Sequence, residues 1–325
     1  MKRLLAERKG RASGGVEPRG PDAGPAPLTA AQERLWFLER LHGGDAGSGG
    51  LYNITRALRF DGPLDAAALA AALGRVVERH QVLRSAVEAE GESGVQRVLP
   101  TGRFELPLTD LSALPAALRP GVAARLARRE ARRPFDLAAG PLLRARLLHR
   151  AADEHTLLVA VHHLAFDGAS MALLLDELAA AYAAARDGAE PGLTELPYQF
   201  GDYAAWERGR LEEGGFDAVL DWWRGTIGEP PPPLELPADR PRPAAPSLEA
   251  ASVAVDLPAD LAAALAARAR DGGARPFVVF LAAWSALLAR VAGAERAVVG
   301  FPAANREVAG SEALIGFFVN TLPAV

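Results

Sequence analysis

Cysteine is missing from all 325 residues, which excludes a disulfide framework, a thiol nucleophile and thiolate-held metal. A surplus of one charge is missing too. With 36 Lys and Arg against 40 Asp and Glu, the net charge is -4, so the basic footprint expected of a nucleic-acid binder is absent. Long hydrophobic runs are also lacking. The best apolar run, Phe277 to Ala283, falls far short of the roughly 18 residues a membrane span needs. At the N-terminus Lys2 and Arg3 precede only Leu4-Leu5-Ala6 before charge returns, which is too short for a secretory signal, and a cytoplasmic location is expected. His42, His149 and His155 show no metal-ligand spacing, and no metal is expected.

Half of the residues are hydrophobic and 23% are charged, enough apolar material for a large core. The length suits one two-lobed domain or two domains. Residues 1–27, rich in Arg, Gly and Pro, lack a sustained apolar period and read as a disordered tail. A proline-rich stretch over 229–246 reads as an extended connector, separating an N-terminal lobe (28–228) from a C-terminal one (247–325). Strands are expected near 54–60, 95–99, 142–148 and 157–161, and helices near 64–80, 122–133 and 171–185. Beyond the connector, Val253, Val255 and Leu257 alternate as a strand and a helix opens at Pro258. Next comes a helix from Pro276, whose Phe277, Phe280, Leu281, Trp284, Leu288 and Val291 recur at helical spacing for burial, and then a strand over 297–300. This alternation argues for a mixed α/β fold.

The most informative stretch is His162-His163-Leu164-Ala165-Phe166-Asp167-Gly168, set between an apolar strand and an amphipathic helix. Thr156 to Val161 reads as a strand buried on both faces, whose neighbouring side chains point oppositely, so the two histidines are expected in different environments. Met171, Leu174, Leu175, Leu178 and Tyr182 form the helix's apolar stripe, leaving Asp176 and Glu177 on the polar side. Taken bare, a histidine pair is structural more often than catalytic, and Asp-Gly is as readily a turn and helix cap.

Further stretches recur in an order that resembles the condensation domains of non-ribosomal peptide synthetases. Leu28-Thr29-Ala30-Ala31-Gln32-Glu33-Arg34-Leu35-Trp36-Phe37-Leu38 is similar to the opening motif, followed by Tyr52-Asn53-Ile54. Arg79-His80-Gln81-Val82-Leu83-Arg84-Ser85 is similar to the second, with Gln81 where the family usually has Glu. Arg133-Pro134-Phe135-Asp136-Leu137 with Gly140-Pro141-Leu142-Leu143-Arg144 resembles the approach to the active-site strand, and Tyr203-Ala204-Ala205-Trp206 the aromatic motif after it. Gly300-Phe301-Pro302-Ala303-Ala304-Asn305-Arg306 and Ile315-Gly316-Phe317-Phe318-Val319-Asn320-Thr321-Leu322 resemble the motif from the second lobe.

The resemblance implies two chloramphenicol-acetyltransferase-like lobes in a V, with the second lobe truncated after Leu322 and the chain alone not a competent enzyme. It implies amide formation between a donor acyl or peptidyl thioester and an acceptor amine, both tethered by phosphopantetheine to carrier proteins. The domain itself would bind no cofactor, and adjacent synthetase domains such as an adenylation domain would be partners. Nucleic acid and membrane would not. His163 is implied as the catalytic histidine, as base or as electrostatic partner, with His162 structural. Asp167 is implied to pair with Arg306 across the lobes, while Gly168 keeps the tunnel or turn clear and Asn320 reaches the site from the second lobe.

The motifs around Trp36 and Phe317 resemble the subtype taking an L-configured donor. Aspartates replacing the histidines would mark cyclisation, and they are absent. Two other readings stay open: a related acyltransferase using coenzyme A or making esters, and an inactive fragment that binds carrier protein. Arg125, Arg128, Arg129 and Arg132 form one helical stripe, fitting an acidic carrier protein or a phosphate but more simply a solvated face. Trp36, Trp206, Trp222 and Trp223 suit tunnel lining or packing, and Arg79, His80 and Arg84 are expected to hold helix to strand.

Overall fold

The computed structural model describes residues 15–20, 23–42, 50–228, 234–241 and 251–325. Most of the expected proline-rich connector lies outside them. Packing divides the chain into two compact units, one of Met1–Gly214 with Ala304–Val319 and one of Gly215–Ala303 with Asn320–Val325. The boundary therefore differs from the expected one. Residues 304–319 join the first unit because their ring and guanidinium groups are buried there.

The first unit is built on a four-stranded sheet ordered β2 (Asn53–Asp61), β7 (Glu154–His162), β6 (Leu143–Ala151), β5 (Leu108–Asp110). Neighbours run antiparallel except for the parallel β5–β6 pair. Leu157, Val159 and Val161 of β7 face a large core completed by helix α2 (Ala66–Arg79) and helix α4 (Gly168–Asp187). On the opposite face, Leu158 and Leu148 pack with Leu111 under helix α3 (Arg119–Arg132), through Val122 and Leu126. Both faces of β7 are thus covered, which is why it reads as a continuous apolar run. A smaller sheet, β1 (Ala26–Pro27), β4 (Ser93–Val98) and β3 (Ser85–Glu90), lies in the same unit with helix α1 (Ala30–His42) and helix α5 (Phe200–Glu212).

Local sequence sets the helix ends. The Asp65 carboxylate caps α2 by accepting from the Ala67 and Ala68 N–H groups, and Gly188, with φ of 66°, ends α4 in the left-handed region that favours glycine. By length and composition α4 would suffice to cross a membrane, contrary to the expectation that no segment would, but Leu174, Leu178 and Ala181 direct its apolar face into the unit's core. Glu177, expected on the polar side, is buried against α2, where His80 and Arg79 hold it. Arg79 and His80 therefore join helix to helix, not helix to strand. Part of the expected tail is also tied down. Ala26–Pro27 pair with β4 and the Arg19 N–H donates to Asp202, so residues 15–20 and 23–27 contribute to the unit.

The second unit holds helices α6 (Asp217–Ile227), α7 (Ala259–Asp271) and α8 (Pro276–Ala292), with a hairpin-like pair of strands, β8 (Val299–Ala303) and β9 (Asn320–Ala324). Residues 253–257 form no strand; Val253 and Val255 are exposed and have no ladder partner among the described residues. Alternation alone is not enough to make a strand when no edge is there to pair with. The expected burial of α8 is not observed either. Phe277, Phe280, Trp284 and Val291 are all about half exposed, and Phe277 meets only Phe301 as a ring neighbour among the described residues.

Candidate active site

β7 ends at His162, and the chain passes at once into a 3-10 turn over His163–Ala165 before Asp167 caps α4. The two imidazoles do occupy different environments. The cause is the turn, since His163 has already left the strand whose alternation was expected to separate them.

His162 is buried on the sheet face shared with Leu158, between the rings of Tyr52 and Phe135 at centroid distances of 6.5 and 5.9 Å. Its Nδ1 accepts the Leu164 N–H at 3.2 Å, which places the ring's proton on Nε2. That nitrogen lies 4.0 Å from the Glu39 carboxylate, an electrostatic neighbour at a distance too long for a hydrogen bond. Burial above all, then the charges of His163 and Arg144, pushes His162 down to about 3. It is a neutral, packed ring whose acceptor nitrogen braces the turn. Gln32 of the opening motif braces the same turn by donating to the Leu164 carbonyl at 2.8 Å, while trading capping hydrogen bonds with Thr29.

His163 is half-buried. Its backbone N–H donates to the Tyr52 carbonyl at 2.9 Å, and its Nδ1 lies 2.6 Å from the Phe166 carbonyl oxygen. A carbonyl oxygen only accepts, so Nδ1 carries the proton and the neutral ring's lone pair sits on Nε2. The Phe317 ring meets the imidazole edge-on at 4.7 Å and limits its rotation. The result is a base-competent nitrogen of fixed tautomer.

Asp167 does not orient His163; the Phe166 carbonyl does. Asp167 Oδ1 instead accepts from the Ser170 N–H and hydroxyl at 2.9 and 2.8 Å and from Arg306 Nη2 at 2.9 Å, while Oδ2 accepts the Phe318 N–H at 3.2 Å. Arg306 also donates to the Ser311 and Leu314 carbonyls at 2.6 Å each and stacks over Phe318 at 4.2 Å. Both charged side chains are nearly inaccessible, at 9% for Arg306 and 3% for Asp167. The expected ion pair is present, but within one compact unit.

Residues 315–318 are clamped from a second side, where the Ile315 N–H donates to His80 Nδ1 at 3.3 Å and His80 Nε2 meets Glu177 at 2.8 Å. The Glu177 carboxyl is raised by burial but lowered more by His80 and Arg79, and it ends below its usual range.

Gly168 opens α4 without a positive φ, and a Cβ built there would meet nothing within 4 Å. Gly168 is exposed, and neither turn strain nor a clash with the described protein requires glycine there. Gly316 is the opposite case. A Cβ there would sit 2.2 Å from Phe200 Cδ2, and glycine is needed for the backbone to pass. Asn320 lies in the second unit on β9, exposed, with its Oδ1 accepting the Thr321 N–H at 2.9 Å.

Four contributors escaped sequence reasoning: the Phe166 carbonyl, Ser170, Phe317 and Gln32. A backbone carbonyl has no sequence signal. Gln32 had one, since Thr-x-x-Gln is a capping-box pattern. Among the described residues, no group of three or more His, Asp or Glu is placed to hold a metal. A surface cavity of about 470 Å³ lined by Gly74, Arg75, Arg84 and Phe104 takes in Arg84 of the second motif but none of His162, His163, Asp167 and Arg306.

A family model described as "Condensation domain" matches residues 22–325. Phosphinothricin tripeptide synthetase PhsC of Streptomyces viridochromogenes is 42% identical over 306 residues, 94% of this chain but 28% of that protein, so the chain spans little over a quarter of this relative. Among solved structures, the X-domain from teicoplanin biosynthesis aligns with a TM-score of 0.83 at 33% identity, covering 95% of this chain and 67% of that one. The first condensation domain of the calcium-dependent antibiotic synthetase, in complex with a substrate analogue, aligns with a TM-score of 0.73 at 26% identity, covering 92% and 68%.

Proposed function

The chain belongs to the condensation-domain family, and from that premise we propose that it forms an amide between a donor acyl or peptidyl thioester and the amine of an acceptor aminoacyl thioester, both tethered to carrier proteins through phosphopantetheine. The observation that supports this reading is the tautomer of His163, whose Nδ1 proton on the Phe166 carbonyl leaves the lone pair on Nε2.

The thioester is already activated, so the protein's share is orientation, proton transfer and stabilisation of the oxyanion. The neutral amine attacks the thioester carbon, a C–N bond forms, and the carbonyl π pair moves onto oxygen. His163 Nε2 takes the proton that the new ammonium sheds. The imidazolium is then held by its Nδ1–H on the Phe166 carbonyl, a hydrogen bond that strengthens when the ring is charged. As the intermediate collapses, the C–S bond breaks and the proton returns from Nε2 to the departing thiolate. Of the first-turn N–H groups of α4, that of Ser170 is given to Asp167 Oδ1, and those of Gly168 and Ala169 are the ones that favour developing negative charge.

His162, Asp167 and Arg306 act as supports for this turn. Asn320 is kept as a supporting residue on the family motif alone, and an L-configured donor is the subtype proposed from the flanking motifs. The protein in its longest natively encoded form, mixed with a loaded donor carrier and a loaded acceptor carrier, should yield acceptor carrier heavier by the donor acyl group through an amide. Transfer only from acyl-coenzyme A, or only to a hydroxyl, would instead identify an ester-forming or coenzyme-A-dependent relative.

A further inference from the structure

The arginine stripe on α3 carries more than a solvated face requires. Arg125, Arg128, Arg129 and Arg132, with Arg133 just beyond the helix, are all exposed, and none has a carboxylate partner among the described residues. The spacing of three and four places the first four on one side of the helix. The helix's single acid, Glu130, is turned away. Its Oε1 accepts from Arg146 Nε at 3.1 Å and its Oε2 lies 3.5 Å from Arg144 Nε, so it neutralises cations of the sheet and none of the stripe. Elsewhere Arg59 pairs with Asp61, Arg97 with Glu88 and Arg208 with Glu33. A helix C-terminus favours cations in its last turn, which covers Arg129 and Arg132 but not Arg125 and Arg128.

Position links this face to the site. Asn53 donates from Nδ2 to the Ala131 and Arg133 carbonyls at 2.8 and 2.7 Å, and Asn53 is the β2 residue that pairs with His162. Phe135, two residues past Arg133, packs on the His162 ring. The stripe thus ends where the catalytic turn begins.

We infer that this face receives the acidic surface of a carrier protein that brings a tethered substrate to His163. The inference rests on the carrier-dependent reading above. Arg125 to Arg132 spans about 10 Å of helix, close to the Debye length at physiological salt, so the charges act as one local field. The chain as a whole carries a net charge of -4. A long polyanion or an anionic membrane would meet that acidic remainder, whereas a small acidic protein surface engages the arginines alone. Guanidinium groups spaced along a helix suit carboxylates presented on a partner helix, by paired N–H donation.

The test replaces Arg125, Arg128, Arg129 and Arg132 together by Glu, with an all-Gln set as a second variant should the Glu set fail to fold. Association of a fluorescent, acidic peptidyl carrier domain is followed by stopped flow at low and high salt. Wild type should associate at a rate that falls at least ~10-fold with added salt, and the Glu set should lose ~10-fold or more at low salt. The Gln set should fall between them. Unchanged rates in either folded variant overturn the inference, as does tighter binding of wild type to a DNA duplex or to phosphatidylserine vesicles than to the carrier. Amide formation is read in parallel. Docking that depends on the face with no amide formed contradicts the proposed reaction while the surface stands, and amide formation insensitive to both variants contradicts the surface while the reaction stands.

Discussion

His162 and His163 are adjacent in sequence and opposite in chemistry. The resemblance singled out the pair, and within it the second histidine. What separates them physically is a carbonyl and an N–H that no sequence displays, because Phe166 fixes one tautomer and Leu164 fixes the other. The buried ring has a consequence for stability. His162 is held at about 3 in the fold against about 6.5 when unfolded. Its contribution is therefore complete above roughly pH 6.5 and is lost as pH falls from there towards 3, since the unfolded chain takes up the proton first. Urea midpoints of wild type should drop more steeply between about pH 7 and pH 4.5 than those of His162→Asn, which retains an acceptor for Leu164 but does not titrate. Parallel slopes would contradict the assignment. The Asp167 carboxylate accepts four hydrogen bonds, one of them the ion pair with Arg306, and removing either partner strands a buried charge. Asp167→Ala or Arg306→Ala should each lower unfolding free energy by about 3–5 kcal/mol. A loss under about 1 kcal/mol in denaturant melts would show the pair to be dispensable.

The strand–turn–helix unit was well exposed in the sequence. The apolar run to Val161 and the stripe from Leu174 to Leu178 placed β7 and α4 within a few residues, because burial on both faces and on one face leave different periods. The same reasoning failed where an element's partner, not its own pattern, decides. Val253 to Leu257 alternates but finds no neighbouring edge among the described residues, and the apolar ring of α8 is half exposed. Glu177 looked like a polar-face residue, yet His80 and Arg79 draw it into the core. Gly168 offers a clean test at this scale. Gly168→Ala meets open space and gains helix propensity, so stability should stay within about 1 kcal/mol of wild type or rise slightly. The proposed role of Gly168 in keeping the way to the site clear predicts that amide formation falls. Loss of stability without loss of turnover would return the glycine to a structural role. Gly316→Ala should behave inversely, destabilising the unit through Phe200.

At the scale of the molecule, the mixed α/β architecture was anticipated from the alternation of strands and helices. The unit boundary was not legible. The segment from Ala304 to Val319 follows β8 in sequence but is claimed by the first unit through Arg306 on Asp167, Ile315 on His80 and Phe318 on Asp167 and Phe200, contacts that depend on partners more than a hundred residues away. That segment also sets Phe317 against His163, so what stabilises the unit also packs against the proposed base. The account's central claim is that His163 Nε2 moves the proton in amide formation. Single-turnover transfer from a loaded donor carrier to a loaded acceptor carrier, followed by intact mass for wild type and His163→Ala in the longest natively encoded form, tests it most directly. The account predicts a loss of about 10²–10⁴-fold with unchanged far-ultraviolet dichroism and thermal midpoint. Turnover of the variant within a factor of about two of wild type would contradict it.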